Sequence, residues 1–157
     1  MVPAAYVLLL RTASAGTEVL LQLRRGTGFR DGYWAAAAAG HVERGEAAPA
    51  AACREALEEL GVTVAEQDLV PLVTLHRTEN TGDPVDERVD FFFTCRRWQG
   101  EPRRQEPERA ADLRWFALDA LPDPVVPHER RVLDGLRTGS TPAIATHGFD
   151  RHGDGGG

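Results

Sequence analysis

Cysteine is scarce in this chain. Two occur in 157 residues, Cys53 and Cys95, far apart in sequence. Such spacing makes neither a zinc-ligand pattern nor a disulfide framework. Both are therefore expected as core or near-core thiols in a reducing, cytoplasmic compartment. A surplus of positive charge is also missing: Lys and Arg number 18 against 24 Asp and Glu, for a net charge of −6. That balance argues against binding a nucleic-acid polymer, which calls for a basic face. It leaves a nucleotide open as ligand, because bound metal ions bring their own positive charge. Apolar runs long enough to span a membrane are absent. The apolar N-terminal stretch has no basic region before it, so no signal peptide is expected. No internal repeat marks a second domain. What remains, 42% hydrophobic and 27% charged residues, is ordinary for one soluble domain large enough for a real core.

Along the chain, Ala4 to Leu10 reads as a buried strand and Glu18 to Arg24 as its hairpin partner, with turn residues at 14–17 between them. Trp34 to Ala39 predicts a short strand. Leu69 to His76, Arg88 to Arg96 and Asp112 to Leu118 read as further strands, and Val126 to Leu136 as an amphipathic helix. From about Thr138 the composition turns to Gly, Thr and Pro, so residues 139–157 are expected to be a mobile tail after a domain spanning 1–138.

The most informative stretch runs from Gly40 to Val62. Pro49 suits the first turn of a helix, Gly61 suits a left-handed end, and the residues between are strong helix formers. A helix of about three turns is predicted from Pro49 to Leu60. On it Glu55, Glu58 and Glu59 stand at i, i+3 and i+4, on one face. Alone, such a cluster reads as a solvated acidic face. A divalent cation would turn its repulsion into coordination, because hard cations such as Mg²⁺ take carboxylate oxygens together with substrate phosphates. Gly40 allows the backbone to turn or to approach a ligand closely. Arg54 can pair with Glu58 or reach back to Glu46, so both Arg54 and Glu46 are expected to tie the preceding loop to the helix.

Seven positions (Gly40, Glu46, Arg54, Glu55, Glu58, Glu59 and Gly61) stand at fixed spacings. Each has a chance of about 6–7% from average composition, so coincidence at a given register is on the order of 10⁻⁸. The run resembles the signature of the Nudix hydrolases at every defined position, with Ala56 a small choice at the aliphatic slot. The resemblance covers roughly Ala4 to Leu136. It implies an α/β fold, an α/β/α sandwich with a mixed central sheet. It also implies hydrolysis of a pyrophosphate linkage by water with Mg²⁺ or Mn²⁺. Carried over, Glu55, Glu58 and Glu59 would be metal ligands or the base, and the Gly40 carbonyl a further ligand. Some members recruit another Glu from a later loop; Glu106, with Glu108 beside it, is the candidate, against the plainer reading of a solvated Pro-rich loop. A turn such as Leu-Pro-Gly, common before the motif, is replaced here by Trp34 and five alanines, which leaves the shape of the pocket floor open.

Substrate contacts are less legible. Arg25, with Arg24 and Arg30 nearby, could touch phosphates. His128 and Glu129, ahead of the last helix, could bond a base edge, while Phe29, Trp34 or Trp115 could stack on it; solvated arginines and core aromatics are the plainer alternatives. The short single-domain layout looks most like MutT-type triphosphate pyrophosphohydrolases. Rival readings are a nucleoside diphosphate or nucleotide-sugar hydrolase and a nucleotide-binding module that does not cut. An isomerase on the same fold has no positive sign in the sequence. The family includes both monomers and homodimers.

Overall fold

The computed structural model describes residues 1–149. In chain order it contains β1 (Val2–Ala13), β2 (Gly16–Arg24), β3 (Trp34–Ala36), β4 (Ala38–His41), α1 (Ala48–Leu60), β5 (Leu69–Arg77), β6 (Arg88–Cys95), β7 (Ala110–Ala117), α2 (Pro127–Thr138) and β8 (Ile144–His147). The fold is a mixed α/β sandwich, as the sequence implied.

β1 is the hub. It runs parallel to β6 from Val2 to Leu9. On its other side it pairs antiparallel first with β4, over Ala4–Val7, and then with β2, over Leu10–Ala13. β2 in turn pairs with β3 and β7, while β6 pairs with β5 and β5 with β8. The alternation of β1 explains its continuous apolar run, because a strand covered on both faces needs apolar residues on both. Ala5, Val7 and Leu9 face a core that includes Ala51, Ala52, Ala56 and Leu60 of α1. Tyr6, Leu8 and Leu10 face a core that includes Val132 and Leu133 of α2.

Two expectations change. Trp34–Ala39 is two strands, because the chain crosses at Ala37 from pairing with β2 to pairing with β1. Within the stretch read as a tail, residues 144–147 add β8 alongside β5, from Thr74↔Ile144 to Arg77↔His147. Residues 150–157 lie outside the described residues. No helix among the described residues is long and apolar enough to cross a membrane.

Candidate active site

α1 begins with Pro49 in its first turn and ends at Gly61, whose φ of +69° is the left-handed cap that glycine adopts without strain. Its inner face is built of alanines, and the residues it covers, Ala5, Ala37 and Ala38, are equally small and fully buried. Small side chains on both surfaces bring helix and sheet close together. The consequence falls on Gly40, which lies in β4 and not in a loop, and whose φ is not left-handed. A Cβ there would stand 2.2 Å from Oε1 and 2.3 Å from Cδ of Glu55. Glycine is required because the Glu55 carboxyl occupies the space of a side chain.

Arg54 organises the near side. Its Nε and Nη2 donate to the two oxygens of Glu46 at 2.8 and 3.0 Å. Nη2 also donates to the carbonyl of His41 at 3.1 Å. Nη1 donates to Glu55 at 2.8 Å and Glu58 at 3.2 Å. Both pairings anticipated for this arginine are thus present. Glu46 accepts in addition from the Glu43 amide at 3.0 Å, so the loop before α1 is fastened to the helix. Arg54 holds Glu46 down to about 2.

Glu55, Glu58 and Glu59 line a cavity of about 440 Å³ together with Gly40 and Glu106. Glu106 comes from the β6–β7 connection, so the fold brings this distant residue to the helix carboxylates. Glu108 does not line the cavity. Glu59 Oε2 accepts from the Ala39 amide at 2.7 Å. Burial, with the charges of Glu55 and Glu106 adding to it, pushes Glu59 up to about 8 against that hydrogen bond. Burial also raises Glu55, against the pull of Arg54. Among the described residues no three acidic, histidine or cysteine side chains already converge on one point, since Arg54 and the Ala39 amide hold the helix carboxylates. The donor set itself suits a hard divalent cation: it is made of carboxylate oxygens, and burial raises the pKa of two of these groups, Glu55 and Glu59.

A second cavity, of about 640 Å³, adjoins the first and shares with it a wall of Gln22, Arg24, Ala39, Gly40, His41 and Glu59. His128 and Glu129 line it and are 3% and 5% exposed. Glu129 Oε1 accepts from the Ala36 amide at 2.7 Å, and burial pushes Glu129 up to about 7. Phe29 lines the same cavity, half exposed. Two residues expected as contacts stand elsewhere. Arg25 lines neither cavity, because its guanidinium turns to the carbonyl of Pro107; its neighbour Arg24 lines both. β2 ends at Arg24, so Arg25 lies one residue beyond the strand. Trp34 packs edge-on against Phe116 at 4.8 Å and lines neither cavity. Trp115, likewise, stacks with Trp98 beneath Arg11. The sequence reading missed Arg104 and Arg109, which line the first cavity, and Tyr6 and Arg77, which line the second. Only proximity in space marks these four.

A family model described as NUDIX domain matches residues 1–136. The chain belongs to the Nudix family. Among solved structures it resembles a MutT NUDIX hydrolase from Burkholderia pseudomallei, with 28% identity and a TM-score of 0.74 over 85% of this chain and 95% of that one. A Nudix hydrolase from M. smegmatis, RenU, is 26% identical with a TM-score of 0.62, covering 89% of this chain and 87% of the other. A curated relative is the isopentenyl-diphosphate Delta-isomerase of Rhodobacter capsulatus, 31% identical over 68% of this chain. The Nudix chain spans about 60% of the length of that relative.

Proposed function

We infer that the protein is a divalent-metal-dependent hydrolase of the pyrophosphate linkage in a nucleoside triphosphate or a related nucleoside diphosphate derivative. The observation that carries this reading is the cavity lined together by Glu55, Glu58, Glu59 and Glu106, beside a second cavity with room for the rest of a nucleotide. Those four carboxylates, with the Gly40 carbonyl, are the ligands proposed for Mg²⁺ or Mn²⁺. Such a cation neutralises charge on phosphoryl oxygens and lowers the pKa of water. One of the helix carboxylates takes the proton of the attacking water. Arg24, at the junction of the two cavities, with Arg104 and Arg109 on the first, supplies positive charge for phosphate oxygens. Arg54 is a positioning residue, held in its fork of glutamates. His128, Glu129 and Phe29 are the proposed contacts for the base.

A panel of nucleotides with Mg²⁺ or Mn²⁺, resolved by chromatography, tests the reading. Monophosphate and pyrophosphate from a triphosphate would support it; cleavage confined to a nucleotide sugar or diphosphate would move the substrate class. Glu59→Gln should abolish hydrolysis while folding persists. Equal nucleotide binding by wild type and variant, with no product from either, would make the protein a binding module.

A second reading is favoured by the isomerase relative at 31% identity, support that the sequence alone did not offer. Such chemistry moves a double bond and leaves the diphosphate intact. Incubation with isopentenyl diphosphate, followed by phosphorus and proton NMR, separates the two: a shifted double bond with no phosphate released would replace the hydrolase reading.

A further inference from the structure

A glutamate on a connection binds a cation well only if its backbone is already held, because ordering it otherwise costs conformational entropy at the moment of binding. Glu106 is held from both sides. Just before it, the Gln105 amide donates to the carbonyl of Glu59 at 3.1 Å, and the Arg103 amide to that of Leu60 at 3.0 Å. Two of the carbonyls left open at the end of α1 are thereby filled, and the connection is docked on the helix that carries the other three carboxylates. Just after it, the carbonyl of Pro107 accepts from Nη2 of Arg25. The Glu106 carbonyl itself accepts from the amides of Arg109 and Ala110, at 2.9 and 3.2 Å. Pro107 adds a restriction of its own, since the residue before a proline is held extended.

The β2 side is shaped for this approach. The Arg25 amide donates to the carbonyl of Arg109 at 2.9 Å. Gly26 follows with a φ of +65°, and a Cβ on it would stand 2.8 Å from the Glu108 carbonyl oxygen. β7 is bulged where it meets the end of β2: Leu23 pairs with Asp112 but Arg24 with Ala110, so Ala111 is the extra residue. Arg104 Nη1 caps the bulge, donating to the carbonyls of Ala110 and Ala111, each at 3.0 Å. Of these anchors, Arg25 is the side chain that grips the peptide next to Glu106. It is exposed and lines neither cavity, so neither core packing nor a place in the cavity wall accounts for it.

We propose that Arg25 is a positioning residue for the metal site: through Pro107 its guanidinium holds Glu106 toward Glu55, Glu58 and Glu59, and so raises the affinity for a divalent cation. The sign of the effect separates this role from plain electrostatics. Removing a positive charge near a cation site strengthens cation binding by Coulomb's law. Loss of positioning weakens it, because the cation must then order Glu106 itself. The inference rests on the metal reading of the carboxylate cavity, and the cation alone, without nucleotide, tests it.

Mn²⁺ is titrated into the full chain and the free ion read by electron paramagnetic resonance, for wild type, Arg25→Ala, Glu106→Gln and the double variant. E106Q is expected to bind Mn²⁺ about tenfold more weakly than wild type, and R25A about three- to tenfold. The double variant should match E106Q to within about twofold, since Arg25 acts only through Glu106. Melts in chelator should leave R25A within about 2 °C of wild type, as for other exposed side chains. If R25A fails to fold, Arg25→Met, which keeps the apolar stem and removes the donors, takes its place. An unchanged affinity in E106Q, or additive losses in the double variant, would overturn the proposal. Equal or tighter Mn²⁺ binding by R25A with E106Q weakened would overturn it too, while leaving the metal reading of the cavity intact. No Mn²⁺ binding by the wild type would remove both.

Discussion

Replacing Gly40 by alanine tests the closest contact in the site. The new Cβ would meet Glu55 Oε1 at 2.2 Å, where ordinary contact begins at 3.4 Å, so the carboxyl must retreat by more than an ångström. Glu55 is 9% exposed and tied to Arg54 Nη1 at 2.8 Å, so it has little room to move without breaking that bond. Overpacking of this kind costs about 1–3 kcal/mol, offset by about 0.4–1 kcal/mol because alanine constrains the unfolded chain. The net loss of about 1–2 kcal/mol corresponds to a fall in Tm of about 2–8 °C for a domain of this size. Activity should suffer more, because misplacing a reacting group by an ångström costs about a hundredfold. Thermal melts in chelator give the first quantity and product release with Mg²⁺ or Mn²⁺ the second. Glu55→Asp in the G40A background withdraws the carboxyl from the added methyl and should recover the melting temperature lost in G40A. An unchanged Tm and an activity within about threefold of wild type would refute the reasoning, because less than about 1 kcal/mol would then separate the two.

Other outcomes follow from the same geometry. Glu129 has a folded pKa of about 7, raised from 4.5 by burial; the folded state thus holds a proton that the unfolded state releases between those values, and stability should fall as pH rises through that window. Measured as the difference between wild type and E129Q by denaturant titration, the fall is at most about 3 kcal/mol; a pH-independent difference would sink the assignment. Arg54→Lys should lose most of the activity and about 1–3 kcal/mol of stability, since a lysine cannot serve two oxygens of Glu46 and two further glutamates at once; parallel melts and activity assays check this, and a wild-type-like lysine variant would contradict it. Gly61→Ala places a Cβ at φ +69° and 2.8 Å from Gln105 Nε2, and should cost about 1–2 kcal/mol in a melt, whereas an unchanged Tm would show that the cap tolerates the substitution.

Much of the site was legible in the sequence, because its core is local. Pro49, Gly61 and the i, i+3, i+4 spacing of the glutamates fix α1 and its carboxylate face without help from the rest of the chain. The role of Gly40 was half visible: the sequence suggested close approach to a ligand, while the structure shows close approach to Glu55. The wall of the second cavity was barely legible. Tyr6, Arg77, Asp90 and His128 come from three strands and a helix, and nothing in their spacing announces that they meet. Which of the arginines at 24, 25 and 30 lines the cavities was not legible either, since Arg25 lies just past the end of β2 and its side chain turns to Pro107 of the β6–β7 connection. β8 was missed because four residues, with Ile144 exposed and Pro142 just before, carry too little pattern to outweigh the polar, glycine-rich composition around them.

The position of β1 has a consequence for how the protein is made. Its longest ladder is parallel and joins Val2 to Arg88 and Leu9 to Cys95, so β1 leaves the ribosome long before the strand that completes it. The hairpin with β2 can close early, but the edge meant for β6 must wait, and pairings this distant in sequence are slow to form. An apolar strand with a vacant edge is open to pairing with other chains in the interval. Folding yield should therefore respond to synthesis rate, temperature and chaperones more strongly than the stability of the finished domain would suggest.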